Sequence, residues 1–152
     1  MLTNKGKYGI KAMIHLAKLE PAETAQGADI AQRNNIPKKF LDAILFDLRN
    51  AGMLRTKKGP GGGYALAIPA RSIKVGAVVR ALDGPLAPIA CASRTAFRKC
   101  DDCDDSPTCA IRLVMTRVRD ATASVLDTTT IAELAGRPDP QPAVGQKDQA
   151  AD

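Results

Sequence analysis

The sequence has few aromatic residues and no long apolar segment. Its 152 residues include no Trp, two Tyr and three Phe, so aliphatic side chains must build the core that its 45% apolar content allows. No apolar run approaches the length of a membrane span. Where a signal peptide would need its apolar region, the N-terminus carries Lys5, Lys7 and Lys11. We therefore expect a cytoplasmic protein that has no membrane partner.

Histidine is almost absent, which limits the chemistry that the chain can perform. His15 is the single histidine, and it falls within an apolar helical pattern. The sequence also has no Ser/His/Asp or paired-carboxylate signature that would join a nucleophile to its base. We predict that the protein is not an enzyme, and that His15 lies on a helix surface or at the edge of the core.

Positive charge is concentrated in the N-terminal half. Residues 1–82 contain 14 Lys and Arg against five Asp and Glu, whereas residues 83–152 contain eight against eleven. A basic half-chain is typical of proteins that neutralise nucleic-acid phosphates. A soluble, lysine-rich surface is the alternative.

Three helices separated by turn signals are predicted in this basic half. Apolar residues recur at helical spacing over residues 4–19, and Pro21 ends that helix. A short second helix is predicted over residues 27–34. Pro37 then opens a third helix that ends at Gly52, and its predicted core side consists of Phe40, Leu41, Ile44, Leu45 and Leu48. A short helix, a tight turn and a second helix form a helix-turn-helix.

A glycine-rich stretch, KKGPGGGYALA over residues 57–67, follows the third helix. A P-loop would need Gly-Lys-Ser/Thr at the start of a helix, and a flexible linker would not have apolar residues on both sides. A β-hairpin over residues 53–68 fits the pattern, because glycine supplies the positive φ values of a tight turn. Its predicted buried face consists of Tyr64, Leu66 and Ile68.

The helix-turn-helix and the hairpin together predict a winged helix-turn-helix. In that fold the third helix enters the major groove of DNA, and the hairpin lies beside it over phosphate and minor groove. Lysine can bind phosphate or a guanine edge, an acidic side chain can accept from cytosine N4, and glycine lets the turn approach the duplex closely. The candidate DNA-binding residues are Lys38, Lys39, Asp42, Ala43, Lys57, Lys58, Gly59, Gly61 and Gly62.

Several segments resemble one family of regulators. They include LRNAGML over residues 48–54, KGPGGGYALA over residues 58–67, ALDGPLAP over residues 81–88 and LDTTTIAEL over residues 126–134. Over about residues 1–135 the chain resembles the winged-helix transcriptional regulators of the Rrf2-type family that includes IscR, NsrR and RirA. The resemblance implies a sequence-specific DNA-binding regulator that acts as a repressor.

A long helix is predicted over residues 110–126. One stripe of it is apolar and consists of Ile111, Val114, Met115, Val118, Ala121 and Val125. Members of the resembling family are homodimers paired through this helix, which matches the two half-sites of a palindromic operator in double-stranded DNA. A stripe packed within its own subunit is the alternative.

All four cysteines lie within nineteen residues, at Cys91, Cys100, Cys103 and Cys109. Four thiols in the spacing C-x8-C-x2-C-x5-C indicate one joint role, and the cytosol disfavours structural disulfides. Zinc and an iron-sulfur cluster both suit four thiolates, although zinc sites more often show two C-x2-C pairs. Thiol oxidation without a metal and inert cysteines also stay open. The thiol pKa values are expected to be raised by the nearby carboxylates of Asp101, Asp102, Asp104 and Asp105.

The resemblance favours an iron-sulfur cluster in this loop. The resembling regulators hold their cluster on three cysteines, which Cys91, Cys103 and Cys109 match best, together with a variable fourth ligand that is often His, Asp or Glu. Arg112 stands where those regulators can carry histidine. Cys100 could replace that ligand, because four cysteines are ordinary for a 2Fe-2S or 4Fe-4S centre.

The predicted protein is mostly α with a small β wing. Its predicted parts are a winged helix-turn-helix domain over residues 1–82, a cysteine-containing sensor loop over 83–109, a dimerisation helix with a short final helix over 110–135 and a disordered tail over 136–152. The alternatives are a thiol-redox or zinc-containing regulator of the same fold, or an iron-sulfur redox carrier, which would not need the basic winged helix.

Overall fold

A computed structural model describes residues 2–136 of the chain, and the predicted tail from residue 137 onward lies outside the described residues. The described part is mostly helical and contains a single two-stranded antiparallel sheet, in agreement with the predicted fold class. Its elements are α1 Asn4–Ala17, α2 Gly27–Asn34, α3 Lys38–Asn50, β1 Leu54–Lys57, β2 Gly63–Leu66, α4 Val75–Asp83, α5 Ala110–Leu126 and α6 Ile131–Ala135.

The core is aliphatic, as the composition requires. Among the described residues, the largest fully buried side chains come from α1 to α4, from the segment before α4 and from α6: Met13, Ile30, Leu41, Ile44, Leu45, Leu48, Ile73, Val78 and Ile131. The chain after α5 returns to this core, because Ile131 N donates to Ile73 O over 2.9 Å and Val75 N donates to Thr129 O over 2.9 Å. The basic N-terminal half and the segment that follows α5 therefore share one core.

Helices α1 and α4 approach each other closely. A Cβ atom at Gly9 would overlap the Leu82 side chain, and one at Gly6 would overlap the Asp83 carboxylate. That carboxylate also accepts a hydrogen bond of 3.0 Å from Thr3 N, next to the Thr3 hydroxyl that caps α1. Glycine on α1 thus permits the tight contact that fixes α4 against the helix-turn-helix.

Three details of the sequence prediction were wrong. Phe40 was placed on the core side of α3, yet its side chain is 41% exposed and its ring lies edge-on to Tyr8 with centroids 5.7 Å apart. The predicted buried face of the hairpin was wrong as well: Ile68 lies beyond the end of β2 and is 42% exposed, Tyr64 and Leu66 are half-buried, and the buried residue of β2 is Ala65. A fourth helix is predicted from the apolar pattern over residues 72–82, but α4 begins only at Val75, because residues 70–72 form a separate 3-10 turn.

Candidate nucleic-acid interface and cysteine loop

Helix α3 has one face that no other element covers. Its buried side consists of Leu41, Ile44, Leu45 and Leu48. At about 100° per residue the opposite side carries Lys39, Ala43, Phe46 and Asn50, all of which are exposed. Lys39 and Ala43 are candidate DNA-binding residues from the sequence, whereas Phe46 and Asn50 were not named there. Helical spacing could have placed both on this face, because they stand opposite the apolar core residues of α3.

Lys38 and Asp42 flank this face and form an ion pair. Lys38 Nζ lies 2.6 Å from Asp42 Oδ1 across one helical turn, and each side chain is about half exposed. Such an exposed pair adds little to stability, because water screens it. Both groups therefore stay accessible to a ligand in the free protein.

The glycine-rich wing turn is docked on the segment that precedes α2. Ala25 and Tyr64 exchange two backbone hydrogen bonds of 2.9 and 2.8 Å, and Thr24 Oγ1 donates to Gly61 O over 2.7 Å. Gly59 and Gly61 have φ values of +88° and +71°, which favour glycine. Lys57 ends β1 and Lys58 follows it, with both side chains exposed. The wing is thus attached to the helix-turn-helix and presents its two lysines outward.

Gly62 serves the packing of the turn itself. A Cβ atom there would overlap Lys57 O and lie 2.8 Å from Gly59 O, whereas a Cβ atom at Gly61 would meet nothing within 4 Å. We expect Gly62→Ala to lower the free energy of unfolding by about 2–3 kcal/mol because the hairpin must open to admit the methyl group. Gly61→Ala should cost about 1 kcal/mol, from its left-handed backbone alone. Urea denaturation measures both, and equal losses would contradict the packing role of Gly62.

Helix α5 exposes its predicted apolar stripe. None of its 17 residues is fully buried in the single chain. The stripe includes four large side chains that are exposed: Ile111, Val114, Val118 and Val125. The alternative of a stripe packed within its own subunit is therefore wrong.

The cysteine loop brings two of the four thiols together. Cys91 is buried, and its Sγ lies 3.8 Å from Sγ of the exposed Cys100. Cys103 instead contacts the Ser106 hydroxyl, and Cys109 directly precedes α5 without a side-chain capping hydrogen bond. Over residues 2–136, no three His, Cys, Asp or Glu side chains gather into a group that could hold a metal ion.

The thiols nevertheless suit a metal centre in their chemistry. Two thiolates on one tetrahedral metal, with bonds of about 2.3 Å, have their sulfurs about 3.8 Å apart, which matches Cys91 and Cys100. The pKa of the Cys100 thiol is raised, first by its contact with Cys91 and to a smaller extent by Asp102. The expected rise in thiol pKa is therefore found at Cys100, where Asp102 contributes to it less than Cys91 does.

Two arginines of α5 bind the backbone around Cys91. Arg112 Nε donates to Cys91 O over 2.9 Å, and Arg119 Nη1 donates to Ala92 O. The Arg112 guanidinium also lies 5.7 Å from the centroid of the Phe97 ring. We call Arg112 and Arg119 the arginine clamp. Arg112, which stands where the resembling regulators can carry a histidine ligand, thus holds the backbone of Cys91.

A second contact joins α5 to α4. Arg80 donates two hydrogen bonds, of 2.7 and 2.8 Å, to the two carboxylate oxygens of Asp127 at the end of α5. These hydrogen bonds lower the pKa of Asp127 and raise that of Arg80. A Cβ atom at Gly76 would overlap the same carboxylate, so glycine makes room for the pair. The loop, α5 and α4 are thereby linked in series.

His15 lies at the edge of the core, as predicted. It is half-buried, and its Nδ1 lies 3.1 Å from the side-chain nitrogen of Asn34. Burial, followed by the nearby Arg33, lowers the pKa of His15. Its surroundings match a structural contact between α1 and α2.

Comparison with known proteins decides the family. Residues 2–137 match the family profile described as Rrf2, iron-dependent transcriptional regulator. The chain belongs to the Rrf2 family of transcriptional regulators. A helix-turn-helix regulator of Rhodobacter capsulatus described as rrf2-like is 39% identical over 143 residues, which cover 91% of this chain and 95% of that protein.

Two solved Rrf2-family structures share the fold. CymR, the global cysteine regulator of B. subtilis, superposes with a TM-score of 0.75 at 34% identity, covering 91% of this chain and 98% of CymR. IscR of T. potens superposes with a TM-score of 0.72 at 27% identity, covering 95% of this chain and 93% of IscR. The family resemblance and the winged-helix fold are confirmed, and these relatives are regulators of transcription rather than enzymes. Within residues 2–136, no helix of this Rrf2 protein combines the length and apolarity needed to cross a membrane.

Proposed function

We propose that this Rrf2 protein is a homodimeric repressor that binds a palindromic operator and whose cysteine loop controls its operator affinity. The observation that supports the proposal is the exposed face of α3, which carries Lys39 and Ala43, together with the docked wing, which exposes Lys57 and Lys58. This face belongs to the half of the chain with the large excess of positive charge. Long-range attraction to phosphate and local base contacts therefore fall on the same surface.

In this proposal α3 occupies the major groove and the wing lies over the adjacent backbone. Lys39 and Ala43 then face base edges, with Asp42 at their flank. Lys57 and Lys58 neutralise phosphates. The hydrogen bonds between Ala25 and Tyr64 fix the wing relative to the helix-turn-helix, so both elements approach the duplex as one rigid unit.

The apolar stripe of α5 is proposed to pair with the same stripe of a second copy. An exposed row of Ile and Val along a 17-residue helix is a large apolar surface for a small monomer to present to water. Two-fold pairing would cover both stripes at once and place two recognition helices on the two halves of a palindrome.

The cysteine loop is proposed to hold an iron-sulfur cluster on Cys91, Cys103 and Cys109, with Cys100 as the fourth ligand. Such a cluster, when bound, supplies an iron-dependent and redox-sensitive centre. The arginine clamp holds the backbone at Cys91 and Ala92 to α5, and the Arg80–Asp127 pair connects α5 to α4. A change in loop conformation is thereby positioned to shift the DNA-binding halves relative to each other.

A thiol switch without a metal is the second candidate, and the proximity of Cys91 and Cys100 favours it. Their sulfurs are 3.8 Å apart, and a disulfide bond is about 2.05 Å long, so a short movement would join them. The two thiols would give two electrons and two protons to a peroxide. Hydrogen peroxide would be reduced to two water molecules, and an organic hydroperoxide to an alcohol and one water molecule. A zinc site on the same thiols is also compatible with this spacing.

The DNA-binding part of the proposal is tested by the salt dependence of binding. In a gel-shift assay with genomic fragments, the wild-type protein should retard a few fragments selectively. Lys58→Ala should weaken binding to those fragments and reduce the slope of log K against log salt by about one unit, because one phosphate contact is lost. Lys57→Ala, Lys38→Ala and Lys39→Ala should also reduce the slope, because each removes a cation that releases counterions from the DNA.

Lys74→Ala provides the matched control for that assay. Lys74 is also exposed, but it precedes α4 and pairs through its backbone with Thr130, near the end of the described chain. Its replacement should leave the salt slope unchanged. If all four lysine variants kept the slope of the wild-type protein, the docking of α3 and the wing would be refuted.

A further inference from the structure

Phe46 is a large apolar side chain in the middle of the proposed DNA-binding face. It is 53% exposed, and it lies between Ala43 and Asn50 on the side of α3 opposite the core. Four other exposed large apolar residues belong to the proposed dimer stripe on α5: Ile111, Val114, Val118 and Val125. Phe46 is on a different surface, so that pairing does not explain it.

The neighbours of Phe46 favour DNA as the molecule that covers it. The Arg49 guanidinium lies 5.4 Å from the centroid of its ring, and Lys39 and Asn50 are exposed on the same face. An apolar ring bordered by positive charge is poorly suited to an apolar protein surface, which would have to desolvate those cations. Phosphates on both sides of a groove would instead neutralise them.

The position along α3 places Phe46 within the same groove as Lys39. Seven residues separate them, which is about 10 Å along the helix axis, and the major groove is about 12 Å wide. The apolar group that the major groove offers is the 5-methyl group of thymine, which contacts Ala, Thr methyl or Phe side chains. A benzyl side chain also reaches further from the helix than the methyl group of Ala43.

We propose that Phe46 determines operator specificity by packing against the 5-methyl group of a thymine in each half-site. The inference rests on the proposed function, because it requires α3 to be the recognition helix. The Arg49 guanidinium above the ring then restricts its rotation while the opposite face of the ring meets the methyl group.

The test removes the methyl group from DNA and the ring from the protein, separately and together. An operator is first selected from randomised duplex DNA with the wild-type protein, and each thymine is then replaced by deoxyuridine, which lacks only the methyl group. Wild-type affinity should fall about fourfold at one thymine of a half-site and about fifteenfold when both half-sites are changed, as the burial of one methyl group predicts. Phe46→Ala should bind the thymine operator more weakly and respond to neither replacement.

Phe97→Ala is the matched control. Phe97 is also 53% exposed and also lies beside an arginine, Arg112, but it belongs to the cysteine loop. Its replacement should leave the ratio of thymine to deoxyuridine affinity at the wild-type value. Circular dichroism checks the folding of each variant, and Phe46→Gln, a polar substitution at this exposed site, serves as a second ring-deleted variant.

The outcomes separate this inference from the proposed function. If the wild-type protein selects no sequence, the proposed function itself fails. If it selects an operator but no deoxyuridine replacement weakens binding, Phe46 does not contact a methyl group and the inference is overturned while the function stands. The inference is also overturned if Phe46→Ala and Phe46→Gln retain the deoxyuridine effect, since the contact then belongs to another residue such as Ala43.

Discussion

Val118→Asp should convert the proposed dimer to a monomer and abolish tight operator binding. Val118 is 43% exposed in the single chain and lies in the middle of the α5 stripe. A carboxylate at this position would be buried at the interface without a partner, at a cost of about 3–5 kcal/mol. Two-fold pairing buries two such groups, so the dimer dissociation constant should rise by at least about two orders of magnitude. Analytical ultracentrifugation measures the mass, and fluorescence anisotropy with a labelled operator measures the affinity.

Ser124→Asp is the control for this charge. Ser124 is exposed on the same helix and precedes the stripe residue Val125, but it projects more than a quarter-turn away from Val118. The variant should stay dimeric and bind the operator. A Val118→Asp protein that stayed dimeric would move the interface away from the α5 stripe.

The sequence alone was sufficient for α5 because the evidence for it is local. Helical periodicity over residues 110–126 defined both the length of the helix and its apolar stripe, and the structure gives Ala110–Leu126. Periodicity also identified the core residues of α3, with the exception of Phe40. That residue lies at the border of the buried side, where the ring of Tyr8 on α1 decides how far it is covered. Such a contact between helices leaves no trace in the local pattern.

The candidate site was predictable to a similar degree. The glycines of the wing were recognised as a tight turn, but their packing on Thr24 and Ala25 depends on a segment about 35 residues earlier. Cysteine spacing indicated a joint role, whereas the loop holds only Cys91 and Cys100 side by side. The arginine clamp that fixes Cys91 comes from α5, so its discovery required the tertiary structure.

Replacing Cys91 with Ala should abolish the visible absorption of an iron-sulfur cluster in anaerobically purified protein. Cys91 is the buried thiol, and Arg112 holds its carbonyl. Among the proposed ligands it is therefore the one whose place another group can least easily take. Cys103→Ala and Cys109→Ala should have the same effect. Cys100→Ala should abolish the absorption if Cys100 is the fourth ligand, and otherwise should leave a shifted spectrum. Iron, sulfide and zinc contents are measured on the same samples.

Arg112→Gln is the control that separates ligation from coupling. It leaves all four thiols in place but loses the guanidinium that binds Cys91 O, so iron and sulfide content should stay at the wild-type level. Operator affinity should differ between cluster-loaded and cluster-free wild-type protein, and this difference should shrink in Arg112→Gln, because one of the two clamp contacts between loop and α5 is gone.

Stoichiometric zinc without iron or sulfide would refute the iron-sulfur proposal. Metal-free protein that loses the Cys91 and Cys100 thiols together on peroxide treatment would instead establish the thiol switch, since only those two sulfurs lie within a short movement of a bond.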